Sequence, residues 1–380
     1  MAKTLLILGG YGNTGKLIAN LLLEIRKDTS IVLAGRNLAE AQKETDRLNQ
    51  AFEGHRVFAR QVDASSATSL QAALSDDVDV LVVASSTTAL TQQVMQAAID
   101  VNVDYYDIQY SDSHRLEVLE SLKSDIESSG KTFVVEGGFH PGVPAALVRY
   151  AATQLDHVVE ADVYGNISEN WKEVHVRKET EEEFFGQMTE MKSDIYSNGK
   201  WEAQGWQVVR DYEFAEPFHK RACAPMFLNE LRSLPTLLPS LEHVGFWITG
   251  FDPVSTFVAL PLSLGVSALF PKTMTKPMAR FFTWSLKTFS RPPYGTMLAL
   301  EAHDARKEKQ QNPSKLHVTI GHQDSYFLTA VAAVAGLLQL LDDDTKTTPG
   351  LHCQAHFVDP ERFVSDLERL GLNVTIKKTT

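Results

Sequence analysis

The sequence predicts an α/β protein built on a doubly wound parallel sheet, with an inserted α+β region. Three observations carry that expectation: apolar runs alternate with helical patterns up to about residue 138, a glycine loop follows the first run, and the rhythm changes after Pro141. The runs are TLLILG (4–9), SIVLAG (30–35), RVFARQVD (56–63), VDVLVVAS (78–85), VDYYDI (103–108) and KTFVVEG (131–137). Their apolar continuity marks strands buried on both faces. Between them KLIANLLLEI (16–25), LAEAQKETDRLNQAF (38–52) and LTQQVMQAAID (90–100) have helical spacing. Right-handed crossovers then wind six strands into one sheet.

From about 155 to 325 the strand-like pieces HVVEADVYG, QGWQVVRDYEF, HVGFWITGF and SKLHVTIGH follow one another without regular helical alternation, as in an α+β domain. An alanine-rich helix, YFLTAVAAVAGLLQLL (326–341), and a final helix and strand, DPERFVSDLERLGLNVTIK, are expected to return to the first domain. The expected boundaries are 1–145 for the first domain, 146–325 for a substrate and dimerisation domain, and 326–380 for the returning elements.

Composition narrows the function. Of 380 residues 43% are apolar and 22% charged, enough apolar surface to exclude a mainly disordered chain. The net charge of -12 argues against a nucleic-acid partner, which needs a positive field. Cys223 and Cys353 lie far apart with no CxxC spacing, which supports neither a disulfide framework nor a Cys-rich zinc site. His352 and His356 are four apart, but Pro360 and strand-like flanks speak against a helical metal site, and no metal is expected. The apolar run at the N-terminus is too short for a secretory segment, so a cytoplasmic location is expected.

The first run leads directly into Gly10-Tyr11-Gly12-Asn13-Thr14-Gly15, and a helical pattern follows. GxGxxG between the first strand and first helix of a βαβ unit is the setting in which a helix N-terminus receives a pyrophosphate. Gly10 is expected to make the tight turn, Gly12 to admit the phosphate, and Gly15 to let helix and strand pack closely. The second run ends in Ala34-Gly35-Arg36-Asn37, with no acid to hold the ribose hydroxyls of NAD and an Arg able to pair with a 2′-phosphate. NADP is therefore the expected cofactor. Asp63 is placed to meet its adenine side, and Ser85 and Ser86 to line the route to the nicotinamide. Ser85 and Ser86 can equally be helix N-caps.

With these residues on the page, the chain resembles the saccharopine dehydrogenase-like family of NAD(P)-dependent oxidoreductases. The resemblance rests on GGYGNTGKLIANLL, AGRN, DYYDIQY (104–110) and GGFHPGVPAAL (137–147), and continues through YSNGKW (196–201) and PMFLNELRSLP (225–235). It implies a Rossmann domain completed by C-terminal elements around an inserted α+β substrate domain. True saccharopine dehydrogenases act on a secondary-amine C–N bond and carry an Asp where this chain has His140. Related lipid enoyl reductases carry a GFDxxP-type sequence there, so the resemblance implies no particular substrate.

Hydride transfer needs a proton carrier near the nicotinamide, and strand ends five and six face the cofactor crevice in this architecture. Tyr106, Asp107, Gln109, Tyr110, Glu136 and His140 stand there, and His140, Asp107 and Tyr110 are the expected catalytic residues. His140 is favoured as the acid-base group because an imidazole titrates near neutral pH. It can also simply brace a turn fixed by Pro141 and Pro144. Asp107 can instead hold a loop or orient a partner. Two functions are open: an NADPH-dependent oxidoreductase acting on a C=N, C=C or C=O bond, and an NADP-binding regulator or membrane-associated scaffold without turnover. A second domain rich in aromatics (Trp171, Tyr196, Trp201, Trp206, Tyr212 and Trp247) favours the enzyme.

One stretch departs from the acidic whole. Pro253 to Leu300 contains no Asp or Glu, and it opens with the uncharged run PVSTFVALPLSLGVSALFP. Pro261, Gly265 and hydroxyl residues speak against a spanning helix. Lys272, Lys276, Arg280, Lys287 and Arg291 then recur at helical intervals among bulky apolar residues, with Pro277 expected to interrupt any single helix. Residues 253–291 fit a homodimer-interface or core helix with snorkelling lysines, or else a segment that makes a peripheral contact with an anionic membrane or admits an apolar, acyl-type substrate.

Overall fold

Apolar continuity in the first third of the chain produces a wholly parallel sheet. The protein is described by a computed structural model over residues 3–74, 77–174, 178–205, 208–304, 314–342 and 348–379. Trp206 lies outside the described residues. Two units emerge: Met1–Thr153 with Tyr326–Leu372, and Gln154–Ser325 with Asn373–Thr380.

The first unit begins with strands β1 (Lys3–Leu8), β2 (Thr29–Gly35), β3 (Val57–Gln61), β4 (Val80–Val83), β5 (Asp104–Asp107) and β6 (Thr132–Val135). Helices α1 (Asn13–Ile25), α2 (Leu38–Ala51), α3 (Ala67–Ala73), α4 (Thr91–Asp100), α5 (Ser113–Ser129) and α6 (Pro144–Gln154) alternate with them. Leu5–Leu8, Ile31–Ala34 and Val80–Val83 are buried without interruption, so both sheet faces are covered. The helices start where short polar side chains take the orphan N–H groups: Asn37 for α2, Ser66 for α3 and Asp112 for α5. Helix α5 stops at Gly130, whose φ of 66° is left-handed.

In the second unit the strands are β7 (Val158–Ser168), β8 (Asp194–Ser197), β9 (Lys200–Ala203), β10 (Arg210–Phe214), β11 (His219–Pro225), β12 (His243–Thr249), β13 (Gly295–Asp304) and β14 (Lys315–His322). Its helices are α7 (Lys178–Glu190), α8 (Leu234–Leu237), α9 (Leu260–Leu269) and α10 (Pro271–Phe289). The chain then makes α11 (Ser325–Leu341), β15 (Gly350–Cys353), α12 (Gln354–Phe357), α13 (Pro360–Arg369) and β16 (Asn373–Thr379).

The first sheet runs β15-β6-β5-β4-β1-β2-β3, all parallel, so the order reverses between β1 and β4. Strand β15 is a seventh strand that the six-strand reading lacks. Helix α11 is buried from Ala330 to Leu338, which explains its alanines. The second sheet runs β10-β11-β12-β7-β13-β14-β16, with β8 and β9 as a hairpin beside β12. Only β12 and β7 pair in parallel.

Two expectations are corrected. The last strand, β16, does not return to the first unit: it pairs antiparallel with β14, from Lys315↔Thr379 to Gly321↔Asn373. Its sequence, NVTIKKT, is mostly exposed and lysine-bearing, as suits the open edge of a sheet. Pro277 does not end a helix, because α10 runs through it and the break falls at Phe270. Thr273 and Pro277 are both exposed, so solvent can serve the carbonyl that Pro277 leaves without an N–H.

Candidate nucleotide and active site

In a doubly wound sheet, ligands meet the carboxyl ends of the strands where the strand order reverses. Here that point lies between β1 and β4, and β1 leads into the glycine loop. Gly9, not Gly10, has the left-handed φ, 85°, so the turn residue stands one position earlier than expected. A Cβ on Gly9 would lie 2.8 Å from both the Ala84 carbonyl and the Ser85 Cβ. Gly10 is needed for space, since a Cβ there would meet the Ile7 carbonyl and Leu33 at 2.8 Å. At Gly15 a Cβ would run into the Gly9 carbonyl, so this glycine lets α1 pack on the loop as the motif requires.

Gly12 is the N-cap of α1 and has no side chain to satisfy the first-turn N–H groups, nor does that turn carry an acid. With Asn13 and Thr14 it forms an open, positively polarised helix end, the setting for a phosphate. The loop and its glycines therefore fit a dinucleotide. Tyr11 folds across Gly35, and its hydroxyl accepts the Asn37 N–H at 3.0 Å. The Asn37 side chain is engaged as the α2 cap, accepting from the Ala39 and Glu40 N–H groups at 3.1 and 3.2 Å.

Arg36 is exposed at the end of β2, with its carbonyl held by Gln61 at 3.0 Å. Asp63 is exposed beyond β3. Its Oδ1 accepts the N–H and hydroxyl of Ser65 at 2.9 and 2.7 Å, which holds the carboxyl below its ordinary value, with Arg36 adding to the shift. Ser85 and Ser86 follow β4, Ser86 exposed. Neither is a helix N-cap, because Thr87 and Leu90 occupy those positions.

The ends of β5 and β6 hold a buried polar cluster. Asp107 is fully buried and forms an ion pair with the equally buried Arg115. Its other oxygen accepts the N–H groups of Gln109 and Glu136 at 2.9 and 3.3 Å. Arg115 also donates to the Gln109 carbonyl at 2.7 Å and the Tyr110 carbonyl at 3.4 Å. These contacts fix the loop after β5 and the start of the loop after β6, and they engage the Asp107 carboxylate structurally, in line with the loop-holding alternative. Gln109 ties this loop to the end of β4 through the Ser85 carbonyl and the Thr87 hydroxyl, at 2.9 and 3.1 Å.

Glu136 ends β6 with a left-handed φ of 59° and accepts the Cys353 thiol at 3.2 Å. Burial raises its carboxyl pKa. Tyr106 donates to Gln354, whose amide reaches the Gly138 carbonyl at 3.4 Å, so the GGFHPG loop is tied to the segment after β15. His140, half-buried against Phe139, is pushed down to about 4 by desolvation. Desolvation thus favours the neutral imidazole. Tyr110 stands half-buried at the same edge.

Sequence reasoning missed Arg115 and Gln354. For Arg115 a signal existed: it is the third residue of a helix capped by Asp112, where the macrodipole disfavours a cation, so a buried carboxylate partner was implied. Gln354 carries no comparable signal, because its role depends on β15 joining the sheet.

The second unit holds a separate cleft of about 350 Å³, lined by Arg221, Arg291, Glu169, Asp252, Trp171 and Phe251 among others. Among the described residues, no group of three or more His, Cys, Asp or Glu is arranged for a metal ion.

An order reversal beside an uncapped glycine turn gives the first unit the architecture of a dinucleotide-binding domain. Residues 5–134 of the chain match the family model of the saccharopine dehydrogenase NADP binding domain, and the cofactor that the domain's description carries is NADP. A carboxynorspermidine synthase from Vibrio cholerae serotype O1 is 25% identical over 265 residues, 64% of this chain and 62% of that protein. The match thus spans less than two-thirds of that relative's length. The apo saccharopine dehydrogenase (L-Glu forming) from Saccharomyces cerevisiae superposes with a TM-score of 0.70 over 100% of both chains at 14% identity, a likeness of fold.

Proposed function

We propose that this protein is a cytoplasmic, NADPH-preferring oxidoreductase whose second unit holds a small-molecule substrate. The observation that supports the reading most directly is the open N-terminus of α1 over Gly9–Gly15, with Arg36 where an acid would select NAD. Bound NADPH supplies a hydride. Gly12, Asn13 and Thr14 present N–H groups to its pyrophosphate, Arg36 pairs with its 2′-phosphate, and Asp63 borders its adenine. Ser85 and Ser86 line the path to the nicotinamide, with Tyr110 and the neutral His140 as its acid-base candidates.

Among C=N, C=C and C=O bonds, C=N is favoured. The two relatives are named for amines that carry carboxyl groups. Arg221 and Arg291 with Glu169 and Asp252 give the cleft of the second unit both signs of charge, which suits such a substrate better than an acyl chain. In this reading the exposed faces of α9 and α10, within residues 253–291, attach the enzyme to something else, a second copy or a membrane surface, while Arg291 serves the cleft.

The test is NADPH oxidation against panels of imines, enoyl compounds and carbonyls, with both cofactors titrated. A charge-assisted pair contributes about 1.5–3 kcal/mol, so Arg36→Ala is expected to weaken NADPH about tenfold or more and spare NADH. Equal losses for both cofactors would remove Arg36 from the 2′-phosphate. Tight NADPH binding without turnover of any panel would favour the regulator instead.

A further inference from the structure

Helix α9 and the turn before it are built with their polarity reversed, beside an α10 that buries Phe282 and Leu286 in the usual way. From Ser255 to Ser267 the buried positions are Ser255, Ala259, Ser263 and Ser267, spaced by four. The opposite face exposes Phe257, Val258 and Leu262, and the turn into α10 exposes Leu269 at 75% and Phe270 at 57%. The Ser263 and Ser267 hydroxyls are buried without a hydrogen-bond partner. A helix facing water does the opposite, hiding bulky apolar groups and exposing hydroxyls. Small residues between helices with apolar bulk outside is the arrangement of helices in an apolar medium.

Helix α10 adds charge of one sign. Lys272, Lys276 and Arg280 are exposed one turn apart, and Trp284 is exposed on the next. Lys276 reaches Glu182 at 3.0 Å, while Lys272 and Arg280 have no ion-pair partner among the described residues. The stretch Pro253–Leu300 holds five cations and no Asp or Glu, and its two ion pairs, Lys276 with Glu182 and Lys287 with Glu181 at 3.9 Å, reach outside it.

We infer that this hairpin docks the protein on an anionic lipid surface. The outer face of α9 and the Leu269–Phe270 turn enter the acyl boundary, Lys272 and Arg280 meet lipid phosphates, and Trp284 sits at the interface. A second copy fits less well: folding this face onto itself about a twofold axis apposes two rows of cations, with no carboxylate in the stretch to answer them. No helix among the described residues is long and apolar enough to cross a membrane, so the contact is peripheral. The inference goes beyond the catalytic reading and does not depend on it.

The test is flotation of the full chain with vesicles of phosphatidylcholine, with and without about a third phosphatidylserine, at low salt and at about 0.15 M salt. The anionic vesicles should carry the protein, and the neutral ones should carry it at least about tenfold less. Lys272→Glu with Arg280→Glu should cut binding at least about tenfold, as should Leu269→Asp with Phe270→Asp. These side chains are exposed, so thermal unfolding should stay unchanged and certify the fold. Vesicles with brominated acyl chains should quench the fluorescence of the unaltered protein, and Trp284→Phe should remove that quenching. No binding to anionic vesicles at low salt would overturn the inference. A lipid-free dimer that Leu269→Asp with Phe270→Asp dissociates would overturn it too, in favour of a second copy.

Discussion

The glycine loop of the first unit and the α9–α10 hairpin of the second both bring segments together over small residues. In the loop every glycine is constrained: a Cβ on Gly9, Gly10 or Gly15 would strike backbone. Behind it the buried polar groups are tied to one another, Asp107 to Arg115 and Tyr106 to Gln354. In the hairpin Gly265 has nothing within 4 Å of a notional Cβ, and two serine hydroxyls are buried unpaired. The loop is shaped to hold a backbone geometry for a ligand, whereas the hairpin is shaped to put its apolar groups outside. Small residues alone therefore do not identify a site; the bulky and polar neighbours decide what the smallness is for.

The contrast is broken most severely at Arg115. Arg115→Met leaves the Asp107 carboxylate buried without its cation, and removing one partner of such a pair costs about 3–5 kcal/mol. Denaturant midpoints are expected to fall accordingly, and Asp107→Asn added to Arg115→Met to recover part of the loss. A loss below about 1 kcal/mol would mean that solvent or the loop compensates the carboxylate, and the case against a catalytic Asp107 would weaken.

At Gly15 the conflict is steric. Alanine there meets the Gly9 carbonyl, a backbone atom that cannot turn aside, so Gly15→Ala should cost about 3 kcal/mol. NADPH affinity should fall with it, because the α1 N-terminus must shift. If calorimetry gives unaltered affinity, the loop is looser than its packing indicates.

Much of the first unit was legible because local and global signals coincide there. Six runs became β1 to β6, five of them largely buried and the edge strand β3 mostly not, and the glycine loop fell between β1 and α1, since burial on both faces and a phosphate-ready turn each have a short-range signature. The seventh strand, GLHC, lies in the strand-like flank of His352, but four residues after a polar stretch carry no sign that they join the first sheet beside β6. In the second unit β13 and β11 escaped notice, and β16 was assigned to the wrong sheet: antiparallel pairing depends on partners distant in sequence. In the candidate site the loop glycines and Arg36 could be read from sequence. That Asp107 is spent on Arg115, and that His140 is neutral, follows only from burial.

The smallest effect concerns Gly265, inside α9. A glycine in a helix interior is less favourable than alanine by about 0.5–1 kcal/mol, because it gives up more backbone freedom on folding. Nothing within 4 Å opposes a methyl group at this exposed position. Gly265→Ala should therefore stabilise the protein by about that amount, where the same change at Gly15 destabilises it several times over. Matched thermal or urea unfolding of the two variants gives the sign directly. A loss of stability at Gly265 would show that the outer face of α9 is already covered in solution, which points to self-association. A gain in free solution, together with unchanged binding to anionic vesicles, would sharpen the distinction between a glycine that shapes a ligand site and one that merely lies on a helix surface.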